Sequence, residues 1–158
     1  FAEEKGILNK SVFIFDPVAK KNLPQLYYET DIGSSFVTNI PELWANSANK
    51  FFDTLAAGRP ILINYKGLQE KIIRADNIGY ILSPNIEKVN VEEFVKYTYD
   101  NALQKTQRIN ALQKAKEAYS LEKAVEKYLD VINRLVDSQQ GNGGIFSART
   151  TGKRWKDF

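Results

Sequence analysis

Four short apolar runs separated by stretches with helical spacing constrain this chain more than any other feature. Val12-Phe13-Ile14-Phe15, bounded by Asp16-Pro17, is the first and Ile32 to Val37 the second. Ile61-Leu62-Ile63 is the third, and Gly79-Tyr80-Ile81-Leu82, stopped by Ser83-Pro84, the fourth. Between them lie Leu23–Glu29, Ser47–Ala57 and Leu68–Ala75, each long enough for a short helix. Strand and helix in alternation predict right-handed crossovers and one parallel sheet. The runs are continuous, not alternating, as strands covered by helices on both faces require. The expected fold class is therefore α/β, a Rossmann-like parallel sheet flanked by helices.

Beyond Pro84 the pattern becomes helix alone. Val91, Phe94, Val95, Ala102 and Leu103 repeat at helical spacing, as do Leu121, Ala124, Val125, Tyr128, Leu129, Ile132, Leu135 and Val136. A shorter helix from Thr106 to Tyr119 is expected between them. Thr106 and Ser120 stand where N-caps belong, because a hydroxyl there accepts from first-turn amides. After Asp137 the composition shifts to Gln, Gly, Asn, Ser and Thr, ending in Gly152-Lys153-Arg154-Trp155-Lys156. Residues 1–140 are read as one domain and residues 141–158 as a flexible tail.

Composition removes several chemistries. The chain of 158 residues has no cysteine and no histidine, so disulfides, thiolate nucleophiles, cysteine or histidine metal sites and every Ser-His or Cys-His pair are excluded. Proton transfer would fall to carboxylates, lysine or tyrosine. Lys and Arg number 22 against 19 acids, a formal net charge of +3 that does not call for a nucleic-acid partner. No G-x-G-x-x-G or G-x-x-x-x-G-K-[ST] run is present, against dinucleotide and P-loop sites. No stretch approaches the roughly 20 apolar residues that span a bilayer. Methionine is absent and the chain opens on Phe1, so a fragment of a larger protein is expected.

The chemistry concentrates in Asn46 to Pro60. Asn46 or Ser47 can cap a helix, Gly58 suits a left-handed residue after it, and Pro60 stops it. On that helix Asn46, Asn49, Lys50 and Asp53 fall on one face, and Phe51, Phe52, Leu55 and Ala56 cover the rest. Free amides and the dipole at its start favour an anion such as diphosphate. Lys50 adds a charge there, and Asp53 can accept from sugar hydroxyls. Lys50 and Asp53 are also i, i+3 neighbours, and an ordinary surface ion pair is the competing reading. Gly67 to Lys71 offers a second helix start of this kind. Tyr27, Tyr28, Tyr65, Tyr97 and Tyr99 could stack on a base, but half-buried packing is the commoner use of tyrosine.

The residues Ser47-x-Asn49-Lys50-Phe51-x-Asp53-x-Leu55-Ala56-Ala57-Gly58-x-Pro60, followed by an apolar strand, a Gly67 loop and Gly79-Tyr80 before a proline, resemble family 4 glycosyltransferases of bacterial surface-polysaccharide assembly. Upstream, Gly6-Ile7, Asn9, Val12 to Phe15, Leu23-Pro24, Leu26-Tyr27 and Asp31-Ile32-Gly33 fit the same order, so that most of Gly6 to Pro84 is covered. The resemblance implies the C-terminal, nucleotide-sugar-binding lobe of a two-lobed (GT-B) enzyme. It implies a UDP- or GDP-linked sugar donor, retaining transfer to a glycan or lipid-linked acceptor, and neither a cofactor nor an obligatory metal. Asp53 would hold the ribose, Ser47, Asn49 and Lys50 would face the diphosphate and sugar, and Phe15, Asp16 and Val18 would present backbone to the base. The catalytic residues stay unknown and are expected in the preceding acceptor lobe, without which no transfer is expected. The implied setting is the cytoplasm, with peripheral association at the inner face of the cytoplasmic membrane left open.

Two positions depart from the family pattern. Many members carry Glu eight positions before the ribose-binding carboxylate, and this chain has Ala45 there, with Glu42 badly spaced to replace it. The family's early phosphate-binding Arg and Lys would precede Phe1, so weak nucleotide binding is expected. A non-catalytic nucleotide-binding or regulatory Rossmann-like domain is the alternative. A lobe of a nucleotide-sugar 2-epimerase is a further one, opposed by the missing histidine.

Overall fold

The computed structural model describes the backbone of residues 1–141 and side chains through Asp137. The chain divides into two units, residues 1–120 and residues 121–158. The first unit is α/β and Rossmann-like: a three-stranded parallel sheet flanked by helices. In chain order it contains α1 (Leu23–Glu29), β1 (Gly33–Ser35), α2 (Asn49–Ala56), β2 (Ile61–Ile63), α3 (Leu68–Asp76), β3 (Gly79–Ile81), α4 (Val91–Tyr99) and α5 (Asn101–Ala118). Strand order is β1-β2-β3, with Gly33 opposite Ile61 and Ile61 opposite Gly79. Each consecutive pair is joined by a helix, as the alternation of apolar runs requires.

Burial explains the strand sequences. Every β2 residue is buried, so β2 can be apolar throughout. The core joins Ile61, Ile63 and Tyr65 to Phe51 and Leu55 of α2, Ile73 of α3, and Ala111 and Ala115 of α5. Two glycines mark close approaches. A Cβ on Gly33 would lie 2.4 Å from Thr54 Oγ1, and one on Gly79 would lie 1.9 Å from the Ile61 carbonyl oxygen. At the end of β2 the Asn64 amide accepts from Val37 N at 2.8 Å and donates to Val37 O at 2.9 Å, taking the place of a further backbone rung.

Helix α5 crosses the amino ends of the strands. Asn110 Nδ2 donates to the carbonyls of Asp76 and Asn77 at the end of α3, satisfying acceptors a helix terminus leaves open. The buried Gln107 accepts from Tyr97 Oη at 2.8 Å and donates to Asn77 Oδ1 at 3.1 Å and Gly79 O at 3.0 Å. Leu112 and the Arg108 carbonyl lie against Gly58, just past α2.

Three expectations need correction. Val12–Phe15 is not a strand: Val12 makes a single isolated bridge to Leu8, and Phe13, Ile14 and Phe15 are exposed. Four apolar residues form a strand only beside a ladder partner, and none of β1 to β3 pairs with them. Thr106 does not cap a helix. It lies inside α5 and its hydroxyl donates to Ala102 O, while the break falls at Asp100, whose carboxylate accepts from Leu103 N at 2.9 Å. Finally, α2 begins at Asn49 behind Ala48, without a side-chain cap from Asn46 or Ser47.

The second unit carries the helix α6 (Leu121–Gly141), which starts directly after Ser120. Its apolar residues, from Leu121 and Val125 to Leu135 and Val136, are exposed. Residues 142–158, with the basic aromatic end read as tail, lie outside the described residues. Among the described residues no helix is long and apolar enough to cross a membrane.

Candidate functional site

Helix α2 is short because its sequence stops it. Ala57 ends it, Gly58 follows in the left-handed region at φ 62°, and Pro60 bars continuation. Its start is open: Ala48 is extended and Asn46 instead terminates a 3-10 turn over Pro41–Ala45. The first-turn amides therefore have no side-chain acceptor, a condition that suits an anion. Phe51, Thr54 and Leu55 turn inward, leaving Asn49, Lys50 and Asp53 exposed. The Thr54 hydroxyl donates to the Lys50 carbonyl at 2.7 Å.

A cavity of about 510 Å³ lies between α1 and α2. Leu23, Pro24, Ala56 and Ala57 give it apolar walls, Tyr27 and Tyr28 an aromatic one, and Lys20 and Asp53 its two charges. Burial, with the Asp53 charge adding to it, pushes the Tyr27 hydroxyl pKa up, and its hydrogen bond with Thr54 pulls the other way. Tyr28 is held from behind by Arg59, which donates to the Tyr28 carbonyl and sets its guanidinium 5.2 Å from the ring centre. The cavity offers a flat apolar surface beside a carboxylate acceptor and a cation. Among the described residues its lining contains no serine, cysteine or histidine.

Among the residues singled out from sequence, Asp53 lines this cavity together with Tyr27 and Tyr28, two of the tyrosines weighed for stacking. Ser47 sits just before α2, and Asn49 and Lys50 occupy its exposed first turn. Phe15, Asp16 and Val18 lie in the exposed segment ahead of a 3-10 turn at Lys20–Asn22, where Phe15 stacks on Phe13 at 6.3 Å. Among the described residues Lys50 and Asp53 form no ion pair; the side-chain pairs of this unit join Arg74 to Glu70, Arg108 to Asp31 and Lys114 to Asp76. Ala45 and Glu42 are both exposed in the 3-10 turn before α2, whose Trp44 packs on the core.

One cavity residue, Lys20, is not among those singled out from sequence. Lys20, Leu23 and Tyr27 are spaced i, i+3, i+7, the signal that places them on one face. Of the other tyrosines, Tyr65 and Tyr97 are buried and bonded to Gln69 and Gln107, so they pack and do not stack on a ligand. A second cavity, of about 520 Å³, runs along the outer side of β3 past Arg74, Tyr80, Lys88 and Glu93. Its walls mix both charges and lack the apolar platform found between α1 and α2.

No family model and no curated protein matches this chain.

Proposed function

We propose that the first unit is the donor-binding domain of a glycosyltransferase, taking the nucleotide of a UDP- or GDP-linked sugar for transfer to a glycan or lipid-linked acceptor. The carrying observation is the Asp53 carboxylate on the wall of a cavity whose other walls are aromatic and aliphatic. A nucleoside has matching parts: a planar base for the apolar side and ribose hydroxyls for the carboxylate. The uncapped start of α2, with Lys50 on its first turn, stands one helical turn from Asp53 and suits the diphosphate. Ser47 and Asn49 add polar groups at that start. Phe15, Asp16 and Val18 are free at their surface to close over the base.

In this reading the unit binds and orients the donor, and the transfer step belongs to an acceptor lobe. As the diphosphate leaves, amides and Lys50 stabilise its growing charge. The competing non-catalytic nucleotide-binding domain shares the cavity, and the epimerase reading lacks its histidine.

Thermal stability measured against UDP, GDP and UDP-hexose concentration tests the binding. At about ten times Kd a ligand adds about 1.4 kcal/mol and raises Tm. Asp53→Ala should weaken binding roughly ten- to hundredfold, while Tyr99→Ala, at an exposed position away from the cavity, leaves it unchanged. No Tm shift at millimolar nucleotide, or equal shifts in parent and Asp53→Ala, would remove the proposal.

A further inference from the structure

Arg59 stands between Gly58 and Pro60, where the chain needs only to leave α2 and enter β2, yet it carries a long cationic side chain and is only 8% exposed. Its stem is fixed, because its amide donates to the Thr54 carbonyl at 3.1 Å and Pro60 follows. Its head bonds to a single residue. One terminal nitrogen donates to the Tyr28 carbonyl, an acceptor that the end of α1 leaves open, and the guanidinium lies over the Tyr28 ring, 5.2 Å from its centre. Among the described residues no carboxylate pairs with Arg59, and its Nε is buried without an acceptor. A buried guanidinium with an idle donor costs stability that an apolar side chain would not. Broken local rules of this kind collect where a residue serves a site. Tyr28 shows the reverse, a large ring left 70% exposed on the wall of the α1–α2 cavity. Arg59 is not part of that wall, so it meets the ring from outside the cavity.

We infer that Tyr28 is the platform on which a planar heterocyclic base stacks, and that Arg59 is the positioning residue that sets it. This rests on the nucleotide reading above, in which Asp53 on the same cavity takes the ribose. A base and a tyrosine ring attract through their faces, whichever base is present. A ring tied at its own carbonyl and backed by a cation has fewer rotamers to lose when a base arrives, so affinity rises without a new ligand contact. Lysine would replace Arg59 only in part, because one ammonium lacks the planar fork that donates to the carbonyl while lying over the ring.

The test is calorimetric titration of the full chain with UDP, GDP and ribose 5-diphosphate, the last carrying a hydroxyl where the others carry a base. The parent should bind a nucleotide about ten- to hundredfold tighter than ribose 5-diphosphate, and the bound base should lose ultraviolet absorbance as it stacks. In Tyr28→Leu that preference should fall to about threefold or less. Arg59→Leu should erode the preference about three- to tenfold while ribose 5-diphosphate binds as before. Arg59→Lys should fall between parent and Arg59→Leu, and it carries the test if the leucine variant does not fold. Equal binding of all three ligands by the parent overturns the platform and leaves the Asp53 ribose site standing. A preference unchanged in Tyr28→Leu puts the base elsewhere and overturns the platform as well. A preference unchanged in the Arg59 variants, or an equal loss for all three ligands, shows a merely structural Arg59 and overturns its role. Binding of no ligand overturns both proposals.

Discussion

Replacing Gln107 by leucine should cost this fold roughly 2–4 kcal/mol, mostly through the groups left behind. Gln107 is 2% exposed and joins α4, α5, β3 and the end of α3 through three hydrogen bonds. Leucine is similar in size, so the cavity contribution is small. The Tyr97 hydroxyl, in a residue only 5% exposed, loses its acceptor, and the Gly79 carbonyl loses its donor. Each buried polar group stranded in this way costs roughly 1–3 kcal/mol. Asn77 is exposed and can turn to water, so its loss counts little. Leucine's greater apolarity offsets the sum by roughly 1 kcal/mol. Tyr97→Phe strands only Gln107 Oε1 and should cost roughly 1–2 kcal/mol. Both substitutions break one shared bond, so the double variant should fall short of their sum by about 1 kcal/mol. Urea unfolding followed by Trp44 fluorescence and far-ultraviolet dichroism measures all three, with an unchanged m-value as the check on two-state behaviour. Loss of under about 0.5 kcal/mol for Gln107→Leu, or full additivity, would show that the network is not what holds α5.

Gly33→Ala should destabilise by roughly 1–3 kcal/mol, because its Cβ would stand 2.4 Å from Thr54 Oγ1 and 2.5 Å from Thr54 Cγ2. The same change in a Thr54→Ala background should cost much less; an equal cost there would refute the steric cause. Alkaline pH should also destabilise the fold. Burial raises the folded pKa of Tyr27, Tyr65, Tyr80, Tyr97 and Tyr119 above the ordinary 10.0. Their neutral forms thus contribute stability that is complete below pH 10.0 and is lost as pH rises from there through the folded values. The urea midpoint should fall as pH rises above 10.0, less steeply in Tyr97→Phe; a midpoint flat from pH 10.0 to about pH 12 would contradict it.

Ile61–Ile63 and Gly79–Ile81 are legible in sequence because both sit beside partners that the chain itself supplies. Val12–Phe15 has the same apolar composition without a neighbouring ladder, and composition cannot reveal whether a partner exists. The division between α4 and α5 is hidden for a different reason. Apolar spacing runs straight through Asp100, and only its carboxylate on Leu103 N marks a new helix start. Thr106 looks like a cap by residue type, yet a threonine inside a helix satisfies its hydroxyl on the preceding turn, as here on Ala102. Asp53 stands out by its place on a short punctuated helix. Its companion Lys20 does not, and Tyr27 is only one of five tyrosines weighed for stacking, since only the packing of α1 beside α2 brings positions so far apart to one wall.

Asn64 shows how the sheet can finish without fraying. By presenting its side-chain amide to both polar groups of Val37, it satisfies them one step past the last backbone pair, Ser35 with Ile63. The side chain acts there as a counterfeit peptide group, a prop at the end of the ladder. What lies past that prop can change in length without rebuilding the pleats beneath it, so long as Trp44 keeps its place on the core.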